Sequence, residues 1–224
     1  MMIQRPATPS DLALDPALSP ADRSAVFRLR YRAWRAVNGV PPNRERAIRD
    51  ELDDSPLARS YLLREDGRII GSVRSTVYVP GQSVHRLFLH TLWPDLELPW
   101  LSSGGTVIES SRLVFDPDAE HIDACHMLRL LSVHNANAVA WDACTIVTAV
   151  QLRHIPFYRK RLRMDVASPI LPVSGLNVES GAVMRMDFRA HIGEVEARFP
   201  EARVTARERS RLAIQAAALA GIRA

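Results

Sequence analysis

Apolar and polar positions along this chain alternate in blocks that predict both helices and strands. Ser19-Pro20-Ala21-Asp22 is typical of a helix start, with Ser19 as the N-cap, and Asn38-Gly39 is typical of a helix end. Two β-rich runs, 60–64 and 69–79, are predicted strands that flank Asp66-Gly67, a dipeptide that favours a two-residue hairpin turn. The other predicted strands are 106–115, 144–150, 166–173 and 182–188. The other predicted helices are 118–140, a basic helix 152–163, 192–199 and 206–222, with turns or short helices at 43–50 and 85–92 and a loop at 94–105.

This order of elements predicts an α/β (α+β) sandwich. Antiparallel strands come first and a strand–helix–strand–helix unit follows, which favours a mixed, mostly antiparallel sheet. The unbroken apolar run 144–150 is typical of a strand that is buried on both faces. Residues 1–18 are proline-rich and lack periodicity, so they are predicted to be an arm over the surface or disordered. Residues 19–224 then make one domain.

Composition is ordinary for a soluble enzyme-sized domain. The chain has 224 residues, of which 47% are hydrophobic and 24% are charged. No apolar run is long enough to span a bilayer, and the first 15 residues do not resemble a signal peptide, so no stable membrane insertion is expected. The two cysteines fit buried thiols better than a disulfide framework. These features predict a cytoplasmic protein.

Several function classes find no support in the sequence. The seven histidines form no H-E-x-x-H pattern and have no partnered cysteines, so no metal site is predicted. Walker and dinucleotide-binding motifs are absent from the sequence, which predicts no bound cofactor. Helix-turn-helix and zinc-finger patterns are absent too, so nucleic acid is not an expected partner.

The predicted strand 106–115 carries Glu109 and Arg112 within an apolar run. A buried carboxylate or guanidinium is costly unless it finds a partner, and such exceptions concentrate at functional sites. Regular alternation along a strand places positions 109 and 112 on opposite faces. The alternatives are a functional site and a structural ion pair at the edge of a sheet.

A series of short motifs extends from the first helix to this strand. In order, the motifs are Leu29-Arg30-Tyr31 with Trp34, Asp50-Glu51-Leu52-Asp53, Gly71-Ser72-Val73-Arg74, Phe88, and Glu109-Ser110-Ser111-Arg112. The series resembles that of the acyl-homoserine lactone (autoinducer) synthases, which make quorum-sensing signals in bacteria, and of the related N-acyl amino acid synthases, over roughly residues 20–165. Val40 stands where many autoinducer synthases have a tryptophan, which favours the second branch. The chain also lacks the Gln/Arg-x-x-Gly-x-Gly loop of ordinary acetyl-CoA-dependent relatives.

The resemblance implies a GNAT-like acyltransferase. The implied fold is a three-layer sandwich whose sheet is splayed between the fourth and fifth strands, and the implied co-substrate is an acyl-phosphopantetheine thioester. Glu109 matches the proposed general base of the family, and burial in an apolar strand is expected to raise its basicity. Arg112 belongs to the same catalytic motif. Tyr158, in the pair Phe157-Tyr158, resembles the tyrosine that protonates the leaving thiolate in GNAT enzymes.

A second group of residues is expected to shape the substrate pocket. The resemblance implies that the charged members cluster at the cleft entrance, where an arginine suits the carboxylate of an amino-acid substrate. A purely structural clamp is the alternative, because buried charges need partners. The residues are Arg30, Trp34, Asp50, Asp53, Arg74 and Phe88.

The acyl chain needs an apolar slot, and the oxyanion needs donors. Backbone N–H groups in the segment 110–113, where the strand is expected to leave its neighbour, would stabilise the oxyanion. Candidates for the slot are Val147, Leu152, Phe157, Ile146 and Leu113, each of which is also an ordinary core residue.

The segment 153–163 is the densest positive patch in the chain. Acyl carrier protein is acidic, so a basic helix beside the cleft would steer it to the site. A solvated helix face is the alternative, and the phosphates of acyl-CoA would also favour arginines. The candidate docking residues are Arg153, Arg159, Lys160, Arg161 and Arg163.

Taken together, the sequence predicts an N-acyltransferase that moves a fatty acyl group from acyl carrier protein to the amine of an amino acid or a related small molecule. One alternative is acyl-homoserine lactone synthesis from S-adenosylmethionine. The other, from a different class, is a non-catalytic module that binds acyl carrier protein or lipid.

Overall fold

The computed structural model describes residues 12–83, 86–173, 177 and 180–215. Its strands are β1 Leu12–Pro16, β2 Ala58–Glu65, β3 Arg68–Tyr78, β4 Val107–Phe115, β5 Thr145–Gln151, β6 Asp165–Val166, β7 Leu171–Pro172 and β8 Ser180–Asp187. Its helices are α1 Pro20–Ala36, α2 Leu89–Leu92, α3 Pro99–Ser103, α4 Ala124–Ala140, α5 Ile155–Leu162, α6 Phe188–Arg198 and α7 Ala206–Leu212. Short 3₁₀ turns occur at Glu51–Asp54, Leu152–His154 and Pro200–Ala202.

The described strands form one sheet. Their order is β1-β2-β3-β4-β5-β8-β6, and β7 also pairs with β8. Strands β4 and β5 run parallel, whereas the other pairs among the described strands are antiparallel. The predicted mixed, mostly antiparallel sheet is confirmed.

Helices cover both faces of this sheet. On one face, residues of α4, α5, α6 and α7 pack on a core that includes Leu130, Tyr158 and Leu212. On the other face, α2 and α3 pack with Leu89 and Val147 in a second apolar cluster, and α1 covers β2. The result is the predicted three-layer sandwich. No helix in the described part of the chain is long and apolar enough to cross a membrane.

The N-terminal boundary differs from the prediction. Residues 12–16, assigned to the arm 1–18, form β1 along the edge of the sheet beside β2. Leu12 and Leu14 are buried because alternate side chains of this strand face the core. The folded domain therefore begins before residue 19, and residues 1–11 lie outside the described part.

The helix predicted from Asp118 begins six residues later, at Ala124. The Asp116 carboxylate accepts a hydrogen bond from the Asp118 backbone N–H at 3.1 Å, which makes a turn. Asp123 is the true N-cap, because its carboxylate accepts from the N–H groups of Cys125 and His126 at 2.8 and 3.2 Å. Three aspartates within eight positions, Asp116, Asp118 and Asp123, offered competing caps.

Smaller differences fall in the C-terminal half. The strand predicted at 166–173 is two short strands, β6 and β7, and helix α3 occupies part of the predicted loop 94–105. Helix α6 starts before residue 192 because Asp187 caps it by accepting from the Ala190 N–H at 3.0 Å. Helix α7 ends at Leu212, so the helix predicted to residue 222 is too long: residues 213–215 are not helical, and residues 216–222 lie outside the described part of the chain. Position 85, the start of the predicted 85–92 element, lies outside them as well.

Candidate active site

Strands β4 and β5 separate halfway along their length. Their parallel pairing runs from Val107–Thr145 to Ser110–Thr148, whereas both strands continue beyond it. A cavity of about 420 Å³ lies in the gap and is lined by the diverging halves of both strands. The predicted splay between the fourth and fifth strands is confirmed.

A β-bulge shapes β4 at the same place. Ser72 pairs with Val114 and Arg74 with Ser111, so one residue of β3 faces two of β4. The bulge contains Arg112, whose φ of 58° lies in the left-handed region. An arginine in this conformation is uncommon and marks a site where the backbone re-aims a side chain.

As a result, Glu109 and Arg112 lie on the same face of the sheet, against Phe88. The Glu109 carboxylate accepts hydrogen bonds from the N–H groups of Phe88 and Leu89, both at 2.8 Å. The Arg112 Cζ atom lies 4.3 Å from the centre of the Phe88 ring. No ion pair joins Glu109 to Arg112 among the described contacts, so the simple structural pair is not what the chain builds.

The charged residues of the second group do form one network. Arg30 is fully buried and donates to both carboxylate oxygens of Asp53 at 2.9 Å and to Ser60 at 2.8 Å. Arg74, also fully buried, donates to Asp50 at 2.5 Å and lies 3.1 Å from Asp53. These contacts tie α1 and the 3₁₀ turn after it to β3.

Arg112 completes the network at its outer end. Its Nε and Nη2 atoms donate to the Asp50 carboxylate at 3.1 and 2.6 Å. Burial opposes ionisation of Asp50, but the hydrogen bonds and charges of Arg74 and Arg112 lower its pKa to about 2. The Arg112 side chain is 11% exposed, whereas the Arg74 side chain is fully buried. Arg112 is thus the cation of this cluster that reaches the cavity wall.

The pKa of Glu109 shifts in the opposite direction from that of Asp50. Its side chain is fully buried, and burial raises its pKa to about 7, although the two backbone N–H groups and the charge of Arg74 act in the opposite direction. A carboxyl group with this pKa is partly ionised at neutral pH and can accept a proton there. Glu109 does not itself line the cavity, whereas Ser110, next to it in the chain, and Phe88, whose N–H its carboxylate accepts from, both do.

Some of the predicted site residues line the cavity and others do not. Those that line it are Trp34, Phe88, Arg112, Arg153 and Tyr158. Those of the motif series that do not line it are Arg30, Asp50, Asp53, Arg74 and Glu109. The structure therefore brings the motif residues together, with the aromatic residues facing the cavity and most of the charges behind it.

Tyr158 comes from α5, on the opposite face of the gap. It is 5% exposed, and burial alone raises the pKa of its hydroxyl above the ordinary value. Its ring packs edge-on against Phe157, with 5.6 Å between the ring centres. The hydroxyl makes no hydrogen bond within the described part of the chain and keeps its proton at neutral pH.

The predicted acyl slot needs correction. Of its five candidates only Leu113 lines the cavity. Val147, Ile146 and Phe157 pack in the core, and Leu152 is 40% exposed. The sequence analysis missed the apolar side chains that do line the cavity, because the separation of β4 and β5 selects residues from elements far apart in the chain. They include Leu92, Trp93, Met127, Ala149, Val150 and Val173.

Two of the predicted docking residues on and after α5 already have partners within the protein. Arg163 pairs with Glu194, and the Arg161 Cζ atom lies 5.1 Å from the centre of the Phe199 ring. Arg159 and Lys160 are exposed and form no ion pair with another described residue, and Arg153 borders the cavity.

No group of three or more histidine, cysteine, aspartate or glutamate residues in the described ranges is placed to hold a metal ion. The amino end of α4, which follows β4, is the natural site for the phosphates of a nucleotide-bearing donor. Asp123 occupies its backbone N–H groups instead. Asp116, Asp118 and Glu120 add negative charge just before it.

Comparisons with known proteins agree with this geometry. The family model described as N-acyl amino acid synthase FeeM matches residues 25–187. No curated protein is detectably similar to the chain in sequence. The structure of FeeM, an N-acyl amino acid synthase from uncultured soil microbes, superimposes with a TM-score of 0.65 at 13% identity and covers 80% of this chain and 91% of FeeM.

Two further structures have the same fold. The CoA-dependent acyl-homoserine lactone synthase BjaI gives a TM-score of 0.57 at 14% identity, over 95% of this chain and 98% of BjaI. An acyl-CoA N-acyltransferase from Pseudomonas aeruginosa gives 0.50 at 16% identity, over 78% of this chain and 97% of that one. Because the FeeM family model spans most of the chain, including the cavity-lining strands β4 and β5, the protein is an acyltransferase that belongs to the FeeM family of N-acyl amino acid synthases.

Proposed function

We propose that this acyltransferase moves a fatty acyl group from acyl carrier protein to the amine of an amino acid in the cytoplasm. The single observation that carries the proposal is the cavity between β4 and β5, which places an arginine, Arg112, and apolar side chains around one gap. A thioester arm can enter such a gap beside the strands, and the two reactants then meet at its inner end.

Arg112 is the proposed anchor for the acceptor. Asp50 engages two of its nitrogen atoms, and the third, Nη1, has no hydrogen-bond partner among the described residues. A guanidinium held in this way suits the carboxylate of an amino acid. Trp34 and Phe88 border the same part of the cavity and would exclude water around the bound amine.

Glu109 is the proposed general base. As the amine nitrogen attacks the thioester carbonyl carbon, the amine loses a proton, and the carboxylate with a pKa near 7 receives it. Because Glu109 does not itself line the cavity, transfer through a water molecule is the proposed route. Backbone N–H groups of β4 at the bulge would stabilise the oxyanion.

Tyr158 is the proposed general acid. When the C–S bond breaks, the amide forms and the thiolate of phosphopantetheine leaves. The tyrosine hydroxyl keeps its proton at neutral pH and faces the cavity, so it can donate that proton to the sulfur and regain one from solvent. The products are an N-acyl amino acid and the free thiol.

Two features support acyl carrier protein as the donor instead of acyl-CoA. Asp123 accepts from backbone N–H groups at the amino end of α4, so these groups are not free to bind the phosphates of a nucleotide. The exposed cations of α5 lie near Arg153 at the cavity wall, where an acidic carrier could dock.

The product of the reaction tests the proposal. Purified protein is incubated with acyl-loaded carrier and either the 20 amino acids or S-adenosylmethionine, and the products are identified by mass spectrometry. An N-acyl amino acid is expected. An acyl-homoserine lactone would assign the protein to the chemistry of BjaI instead, and carrier binding with no product from any amine would show a non-catalytic module.

A further inference from the structure

Among the aromatic side chains that line the cavity, Trp93 connects two separate elements of the fold, α2 and β7. It follows α2 directly, is 6% exposed and borders the cavity. Its indole N–H donates to the backbone carbonyl of Pro172 in β7 at 2.7 Å. The indole thus spans from α2 to the β7–β8 pair and is held in one orientation.

The neighbouring backbone makes room for this ring. A Cβ atom added to Gly181 in β8 would lie 3.2 Å from the indole and 2.8 Å from the Val150 carbonyl oxygen. A side chain at this position would therefore push the ring away from the strand. Gly181 permits the indole to close directly onto the sheet.

The lining of the cavity contains one apolar group. Leu92 and Trp93 are adjacent in the chain, and a Cβ atom at Gly181 would lie 3.2 Å from the Trp93 indole and 3.3 Å from a Val173 methyl group. Arg112, by contrast, lies against the Phe88 ring. An alkyl chain carried on a thioester at Ser110 would extend toward this apolar group, because burying it against a guanidinium gives up apolar contacts.

From this geometry we infer that Trp93 is the end wall of the acyl-chain subsite and sets the longest acyl chain that the protein accepts. The inference rests on the proposed function. Behind the indole lies the apolar cluster that contains Leu98, Leu101 and Val183, so a smaller side chain would open the cavity into apolar space.

Competition between acyl donors of different length tests this inference. Acyl-pantetheine thioesters from six to sixteen carbons are offered together, and kcat/KM is measured for each with the wild type, Trp93→Leu and Trp93→Phe. Each methylene that gains a buried place should raise kcat/KM about fourfold. A donor two methylenes longer than the wild-type optimum should therefore gain about fifteenfold in Trp93→Leu and less in Trp93→Phe.

Trp100→Phe is the matched control. Trp100 belongs to the same apolar cluster, where the Arg185 Cζ atom lies 5.2 Å from its ring centre, but it does not line the cavity. Its chain-length profile should equal that of the wild type. Val173→Phe, at a partly exposed lining residue, should move the optimum the other way, toward shorter chains, and keeps the inference testable if Trp93→Leu does not fold.

The outcomes separate the two levels of the proposal. If the wild type forms no amide from any donor, the proposed function fails. If the wild type is active but the profiles of folded Trp93→Phe and Val173→Phe both match it, the end-wall role is overturned and the proposed function stands.

Discussion

On the face of the sheet covered by α4, one buried network of polar side chains is neutral and binds the C-terminal segment. The Asn137 amide donates to the Tyr61 hydroxyl at 3.1 Å and accepts from the Ile214 N–H at 2.8 Å. Tyr61 in turn donates to the Leu212 carbonyl at 2.6 Å. His134, on the same helix, is kept neutral because burial lowers its pKa to about 3.

On the face covered by α1 and α2, the buried polar groups are charged, and some keep unused donors. The Nε atom of Arg30 and the Nη2 atom of Arg74 are buried without a hydrogen-bond partner among the described residues. Glu109 carries a pKa far above the ordinary carboxyl value. A buried charge that is only partly compensated is costly, so its presence in this network points to use by a ligand or a reaction.

The difference separates two kinds of buried polar network. The neutral one fixes the fold and should respond to mutation through stability alone. The charged one should respond through activity and pH as well. The predictions below test this division, starting with the largest expected effect.

The first prediction concerns Glu109→Gln. Losing the proposed base should lower kcat by about two to four decades at saturating substrate, while the melting temperature changes little, because a glutamine oxygen can still accept from one backbone N–H. The measurement is steady-state amide formation together with thermal unfolding. Glu97→Gln, at an exposed position, is the control and should keep wild-type activity. Wild-type turnover in Glu109→Gln would reduce Glu109 to a cap of α2.

The pH dependence sharpens this result. Activity should rise with pH through about 7 as the carboxylate forms, and this limb should be missing from the residual activity of Glu109→Gln. The sign for stability is opposite: a carboxyl group whose folded-state pKa is raised stabilises the fold at low pH and loses that contribution as pH rises from about 4.5 to about 7. The wild type should therefore lose stability relative to Glu109→Gln across this interval. Parallel curves for the two proteins would contradict the burial argument.

The second prediction concerns Asp53→Asn. Asp53 is 3% exposed at its side chain and faces two fully buried arginines, so removal of its charge leaves Arg30 without an acidic partner and Arg74 with Asp50 alone. The free energy of unfolding should fall by about 3–5 kcal/mol, measured by urea denaturation. Asp54→Asn is the matched control. Asp54 is 69% exposed and pairs with the exposed Arg23, so its loss should cost about 1 kcal/mol or less.

The third prediction concerns Asn137→Ala, on the neutral side. Loss of the amide leaves the Ile214 N–H buried without its acceptor and should lower the free energy of unfolding by about 2–3 kcal/mol. At a temperature where the variant is folded, kcat should stay within about twofold of the wild type, because the network does not touch the cavity. A large loss of kcat in folded protein would break the division between the two faces. Asn43→Ala, in an exposed loop, is the control.

The sequence predicted the order of the main strands and the motif residues well, because both depend on local patterns. It could not predict that Glu109 and Arg112 share a face, since regular alternation holds only without the bulge at Arg112. The strand at 12–16 was missed because its five residues show only a weak alternation beside prolines. Trp93 carried no signal in the sequence, because its role arises from contacts with β7 and β8, about 80 residues later.

Charged residues on the surface of α5 should have the smallest effects on the reaction. Arg159 and Lys160 are exposed on α5 and form no ion pair in the described part of the chain, whereas Arg163 is already paired with Glu194. Reversing the first two to glutamate should raise KM for acyl-loaded carrier about tenfold and leave kcat/KM for acyl-pantetheine nearly unchanged.

Salt should act in the same direction on the wild type. Exposed charges are screened over about 10 Å at 0.1 M ionic strength, so the carrier reaction should slow as salt rises, whereas the reaction with the small thioester should not. Arg207→Glu, a charge reversal at an exposed position of α7, should leave both reactions unchanged. Equal losses with both donors in the α5 variant would indicate damage to the cavity near Tyr158. The docking surface would then have to be sought elsewhere on the protein.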